Sequence, residues 1–203
     1  MQKIITNFSD LDLNATYSYA DYLRWRFEQG IELIKGKIFP MSPAPSSAHQ
    51  RIAMRLSVSF FNFLEQNHKG CEIYAAPFDV RLFDKKKSSR AHEDIYTVVQ
   101  PDLCIICDKS KIDERGCLGA PDLIIEILSK GNSKKEIKTK YELYQEAGVQ
   151  EYWIVYPITQ VLLQFVLDAD GKYVLHNRFA EDEICNAYLF PELELDLGRV
   201  FTE

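Results

Sequence analysis

The stretch PDLIIEILSKGNSKKEIKTKYELYQEAGVQEYWIVY, residues 121–156, decides the fold class. Its opening PDLIIEIL (121–128) is apolar on both faces, as a strand buried in the middle of a sheet must be. Residues 133–148 switch to helical spacing, with Ile137, Tyr141, Leu143 and Tyr144 on one side. Ser133 and Glu136 have the spacing of a capping box, and Gly148 stands where a helix-ending glycine belongs. EYWIVY (151–156) returns to strand composition. Strand, helix and strand in succession predict an α/β or mixed α+β domain.

Two residues break this pattern. Glu126 places a carboxylate inside the apolar strand, on the face it shares with Ile124 and Leu128. Such a group is costly unless it is paired or bound to a metal. A buried structural ion pair and a metal ligand both fit. Lys140 falls near the middle of the helix's apolar face, away from Lys138, Glu142, Gln145 and Glu146. A lysine aimed at a sheet needs a negative partner, for which Glu126 is the natural candidate. The competing reading is a snorkelling side chain, with its stem packed and its amine in water.

Upstream, VVQPDLCIIC (98–107) reads as one strand carrying Asp102 directly after Pro101. Alone, Asp102 reads as a turn residue at a strand start. If its strand neighbours that of Glu126, the two carboxylates can converge on one hard cation such as Mg²⁺. Residues 48–67 predict a long helix with a core stripe of Ile52, Leu56, Phe60, Phe63 and Leu64. His49 and Gln50 lie in its first turn, where a lone histidine reads as a surface or capping group. CEIYAA and FDVRLF are strand-like, and DKKKSSRAHED (84–94) is a charged loop. That loop is either a solvated hairpin tip or a segment whose lysines touch phosphate. Nearer the N-terminus, SYADYLRWRFEQ (18–29) predicts a helix capped by Ser18. IELI-KG-KIF predicts a hairpin in which Glu32, taken alone, is an outward-facing strand residue, and PMSPAPSS (40–47) is a loop. Downstream, VLLQFVL (161–167) is a strand, Gly171 marks a turn, and the C-terminal stretch with Pro191 is looser. No internal repeat or linker divides the chain, which predicts a single domain over residues 1–203.

The 24 basic and 30 acidic side chains leave a net charge of −6, which counts against a nonspecific nucleic-acid coat. It leaves room for an enzyme with a local basic groove, and active-site carboxylates would add negative charge that a cation offsets. No apolar run approaches the roughly 20 residues of a membrane helix, and MQKIITNFSD lacks the layout of a signal peptide. A cytoplasmic protein with no membrane partner is therefore expected. The five cysteines are odd in number and spaced unlike a disulfide framework. Cys104 and Cys107 form a C-x-x-C, but three apart on a strand they point to opposite faces and read as core residues.

The segments YADYLRW, IELIKGKIFPMSPAPSSAHQRI, APFDVRL, VVQPDLCIICDKSKIDERGCLGAPDLIIEILS, KYELYQEAGVQEYWIVYP and PELELDLGRVF resemble, in order and spacing, the Uma2-type restriction endonuclease family. That family is a bacterial branch of the PD-(D/E)XK nuclease superfamily, and the resemblance spans about residues 17–201. It implies a restriction endonuclease-like mixed sheet flanked by helices, with the N-terminal helix and hairpin attached. Its acidic positions fall on Glu32, Asp102 and Glu126. The superfamily's usual lysine, two residues after the second acid, is replaced by Leu128, and Lys140 on the following helix is the matching residue. His49 and Gln50 match a further polar pair beside the site. Ser129-Lys130-Gly131 and Tyr156 depart from the family pattern at loops and edges.

The implied activity is Mg²⁺- or Mn²⁺-dependent endonucleolytic hydrolysis of DNA by a homodimer. Asp102, Glu126 and the Ile127 backbone carbonyl would bind the cation. Glu32 would assist through water or a second cation, and Lys140 would stabilise the attacking hydroxide and the phosphate. Two other classes remain open. One is a catalytically silent nucleic-acid-binding or interaction protein that keeps the fold, and the other is a small-molecule metallohydrolase.

Overall fold

The architecture follows from a computed structural model, which describes residues 4–28, 30–41, 45–67, 70–83, 91–129 and 131–202. In chain order a short helix α1 (Tyr19–Tyr22) leads to β1 (Ile31–Ile34) and β2 (Lys37–Pro40), then to the long α2 (Ser47–Asn67). Next come β3 (Glu72–Ala75), β4 (Val80–Leu82), β5 (Thr97–Val99), β6 (Leu103–Ile106), β7 (Ile112–Asp113), β8 (Gly116–Leu118) and β9 (Leu123–Ile127). Helix α3 (Lys134–Ala147) crosses to β10 (Glu151–Tyr156), followed by β11 (Val161–Leu167), β12 (Tyr173–Phe179), β13 (Ile184–Asn186), β14 (Glu194–Asp196) and α4 (Leu197–Phe201).

The strands form two six-stranded sheets, β2-β1-β5-β4-β8-β7 and β12-β11-β10-β9-β6-β3, and the ribbon β13-β14. In the second sheet β9 and β10 are parallel, because α3 must carry the chain back to the same end; its other neighbours are antiparallel. Sheets of mixed direction flanked by a few helices are the expected fold class.

Strand alternation divides the core around β9. Leu123, Ile125 and Ile127 pack with Ile52, Leu56 and Phe60 of α2. Ile124 turns to the opposite face and packs with Leu143 and Tyr144 of α3. Glu126 shares that second face. In β1, Ile31 and Leu33 join an N-terminal cluster with Tyr19 and Trp25, whereas Ile34 packs with the α3 side. Glu32 shares a face with Ile34 and so points inward. The hairpin between β1 and β2 turns on Lys35 and Gly36, both at positive φ (51° and 79°), the pattern of the tight two-residue turn. A Cβ at position 36 would also run into the Thr16 side chain.

Four expectations change. The helix expected over 18–29 stops at Tyr22, although Ser18 and Asp21 complete its capping box. Trp25 instead bridges to Ile5, so tertiary pairing takes the chain out of the helix. The strand expected over 98–107 is two strands in different sheets: Val98 pairs with Leu33, and Leu103 with Ile125. Gln100, Pro101 and Asp102 make the crossing, and Pro101 has no N–H to continue a ladder. Cys107 is not a core residue. It is exposed and forms a disulfide with Cys71, one position beyond the paired Glu72 and Ile106. The odd cysteine count hid this pair, and the antiparallel register that brings the two together is invisible in the sequence. Cys104, Cys117 and Cys185 are free and buried. The looser C-terminal stretch holds β12, the β13-β14 ribbon and α4. The charged loop expected at 84–94 lies outside the described residues over 84–90. No helix among the described residues is long and apolar enough to cross a membrane.

Candidate active site

The crossing at 100–102 and the end of β9 meet beside α3 and the first turns of α2. Between them opens a cavity of about 680 Å³, lined by Glu32, His49, Gln50, Asp102, Glu126, Ile127 and Lys140. All the residues singled out from the sequence therefore reach one cleft.

Lys140 sits at its back. Its ammonium lies 3.0 Å from Glu126 Oε1 and 3.1 Å from Glu32 Oε1, with only 12% of the side chain exposed. The lysine does not snorkel. Its apolar-face position on α3 aims it between one carboxylate from each sheet. Glu32 is only 5% exposed, and the same Oε1 accepts the backbone N–H of Gln100 at 2.9 Å.

Glu126 Oε1 also accepts the hydroxyl of Tyr144 at 2.6 Å, one helical turn beyond Lys140. Burial pushes the Glu126 carboxyl up to about 7; Lys140 opposes that rise, Asp102 and Glu32 add to it, and the Tyr144 hydrogen bond opposes it. Burial works against a charged Lys140 as well, but Glu126 and Glu32 outweigh it and hold the ammonium well above its ordinary range. The two carboxylates thus favour the charged form of Lys140 at the cleft.

Asp102 is placed at the start of β6, as a turn residue would be, yet its side chain is committed. Oδ2 accepts the N–H of Ile127 at 2.7 Å, and Oδ1 lies 3.2 Å from His49 Nε2. An N–H and C=O of one strand residue point to the same side, so the Ile127 carbonyl also faces Asp102 and His49. His49 is buried, contrary to a surface or capping role. Burial lowers its basicity, but the hydrogen bond and charge of Asp102, then the Ile127 backbone and Glu126, raise it on balance. Its Nδ1 is buried without a partner among the described residues. Gln50 is exposed at the rim.

Residues 19–198 match the Uma2 family, described as "Putative restriction endonuclease". The chain belongs to the Uma2 family. Its fold is similar to a crystal structure titled as a putative nuclease belonging to DUF820 from Anabaena variabilis, with a TM-score of 0.67 and 22% identity. That likeness covers 91% of this chain and 97% of the other. No curated protein matches.

The oxygens of this Uma2 chain suit a hard divalent cation. Glu126 Oε2 has no protein partner among the described residues, and Asp102 and Ile127 line the same cavity. Among the described residues no three Asp, Glu, His or Cys side chains are grouped so that they could hold a metal ion by themselves. Mg²⁺ commonly takes one or two carboxylates and fills its other positions with water and substrate phosphate, so the donor set fits. Two contributors escaped the sequence analysis. Tyr144 reads as an ordinary core aromatic, and only its i,i+4 relation to the misplaced Lys140 marks it. Gln100 acts through its backbone N–H, for which the sequence carries no signal.

Proposed function

We propose that this chain is a divalent-cation-dependent endonuclease that hydrolyses phosphodiester bonds of DNA, with PD-(D/E)XK chemistry rearranged so that the lysine comes from α3. The observation that carries the proposal is the convergence of Glu32, Asp102, Glu126 and Lys140 on one cleft. In it Asp102, Glu126 and the Ile127 carbonyl hold Mg²⁺ or Mn²⁺. When bound, the cation supplies Lewis-acid stabilisation of phosphoryl charge and acidifies water.

The chain's own residues do the rest. Lys140, paired with Glu126 and Glu32, brings an ammonium to the cleft that stabilises negative charge on the attacking oxygen and the phosphate. Glu32 holds Lys140 from the first sheet and assists the chemistry through water or a second cation. Asp102, tied to the Ile127 N–H and to His49, keeps one orientation. Gln50, at the rim, offers a neutral donor to a phosphate oxygen. A homodimer working in the cytoplasm, with residues 1–203 as one nuclease-like domain, completes the proposal, because a two-fold pair of sites matches duplex DNA.

The test is a cleavage assay on linear and supercoiled DNA with Mg²⁺ or Mn²⁺, comparing wild type with Asp102→Ala and Lys140→Ala. Cutting by wild type and a loss of at least about 100-fold in each variant is expected, the size of effect seen when one transition-state donor is removed. Cutting that survives both substitutions, or none by wild type on any DNA, would refute the nuclease function.

A further inference from the structure

Tyr144 is buried: its ring packs edge-on to Tyr152 in an apolar cluster, and the side chain has no exposure. Phenylalanine would fill that space without a polar group to satisfy. The hydroxyl's partner is Glu126 Oε1, at 2.6 Å. The same oxygen takes the Lys140 ammonium at 3.0 Å. Two donors therefore occupy one oxygen of Glu126. The other oxygen, Oε2, has no protein partner among the described residues and belongs to a side chain lining the cavity. A carboxylate can rotate about its last torsion, and that torsion is broad and roughly two-fold. Lys140 alone could hold either oxygen, because its flexible stem carries three rotatable donors. Tyr144 is different. Its ring is fully buried against Tyr152 in the cluster that holds Leu143 and Ile124, which restricts where its hydroxyl can go.

We propose that Tyr144 is a positioning residue that locks the Glu126 carboxylate, presenting Oε2 to the cleft as a ready ligand for a divalent cation. It touches neither substrate nor cation and acts only through Glu126. The inference rests on the assignment of Glu126 as a cation ligand. The hydroxyl's place on α3, one turn after Lys140, makes the two donors a single unit: the helix delivers both to one oxygen. Supporting groups of this kind fix the ligand's orientation, and their loss typically weakens metal binding by about 10–100-fold.

The experiment titrates Mn²⁺ alone, without nucleic acid, and reads free Mn²⁺ by electron paramagnetic resonance. It compares wild type, Tyr144→Phe, Glu126→Gln and the double variant, with a thermal melt of each. Tyr144→Phe should bind Mn²⁺ about 10–100-fold more weakly while melting close to wild type. In the Glu126→Gln background the same substitution should change the remaining affinity by less than about 2-fold. A wild type that binds Mn²⁺ and a Tyr144→Phe that binds equally would overturn this inference and leave the nuclease reading standing. An equal loss in both backgrounds would mark the hydroxyl as merely structural and would also overturn it. The double-variant comparison keeps this readout even if Tyr144→Phe melts lower. A wild type that binds no Mn²⁺ would overturn the inference together with the cation assignment beneath it.

Discussion

Replacing Lys140 by methionine keeps most of the stem that packs on α3 and removes only the charge. Two contacts vanish, at 3.0 Å to Glu126 and 3.1 Å to Glu32. Each is worth about 5 kcal/mol as a bare Coulomb interaction at an effective dielectric of ~20. Desolvation of the ammonium offsets much of that, and breaking a buried pair costs a net of about 3–5 kcal/mol. Both carboxylates are nearly inaccessible, so water does little to shield them once they are left together. Glu126 limits the damage by holding its proton. Its folded-state pKa, about 7, already lies above the ordinary 4.5, and it should rise further without the ammonium. An acid whose folded pKa is raised stabilises the fold fully below its unfolded pKa and loses that stabilisation as pH climbs through the folded value. In wild type that loss is complete shortly above neutral pH. In Lys140→Met it continues higher, at up to about 1.4 kcal/mol per pH unit. The stability difference between the two proteins should therefore be larger at pH 8 than at pH 6. Urea denaturation followed by tryptophan fluorescence at both pH values measures it. A variant within ~0.5 kcal/mol of wild type at pH 8, or a deficit identical at the two pH values, would refute the ion triad.

Two further outcomes test the fold around the site. Arg81 is buried with its guanidinium 2.6 Å from the half-exposed Asp113, so Asp113→Asn should cost about 1–2 kcal/mol after solvent screening. Burial tends to raise the Asp113 carboxyl, but Arg81 and the Arg115 N–H hold it below 3.8, so this contribution is present above that pH and fades as pH falls below it; acid titration of both proteins would expose the difference. Leu56 is fully buried between α2 and β9, so Leu56→Ala should lower stability by about 2–5 kcal/mol in a urea melt while leaving the cleft residues in place.

Much of the site was legible because two elements have strong periods. In α3 the apolar stripe is regular enough that Lys140 stands out as a charge on the wrong face, and in β9 the apolar run is unbroken except at Glu126. Asp102 was readable as a carboxylate at a strand start, but its commitment to Ile127 and His49 was not. Glu32 is the opposite case. Four consecutive buried positions in β1 leave its local pattern ambiguous, and without the family resemblance it read as pointing outward. The N-terminal helix failed because its helical spacing competes with a bridge between Trp25 and Ile5, which only the folded chain can form.

By itself, then, the sequence determined the β9-α3-β10 unit, the two-residue hairpin, the α2 core stripe and the anomaly of Glu126 and Lys140. These depend on local backbone preference and on periodicity, which neighbouring residues encode. The tertiary structure alone decided that residues 100–102 cross between sheets, that Cys71 meets Cys107, that Glu32 faces inward, and that Tyr144 and Lys140 share one oxygen of Glu126. Each of those depends on which strands become neighbours, and strand neighbourhood is set by burial of whole faces across the molecule, a quantity that no single segment contains.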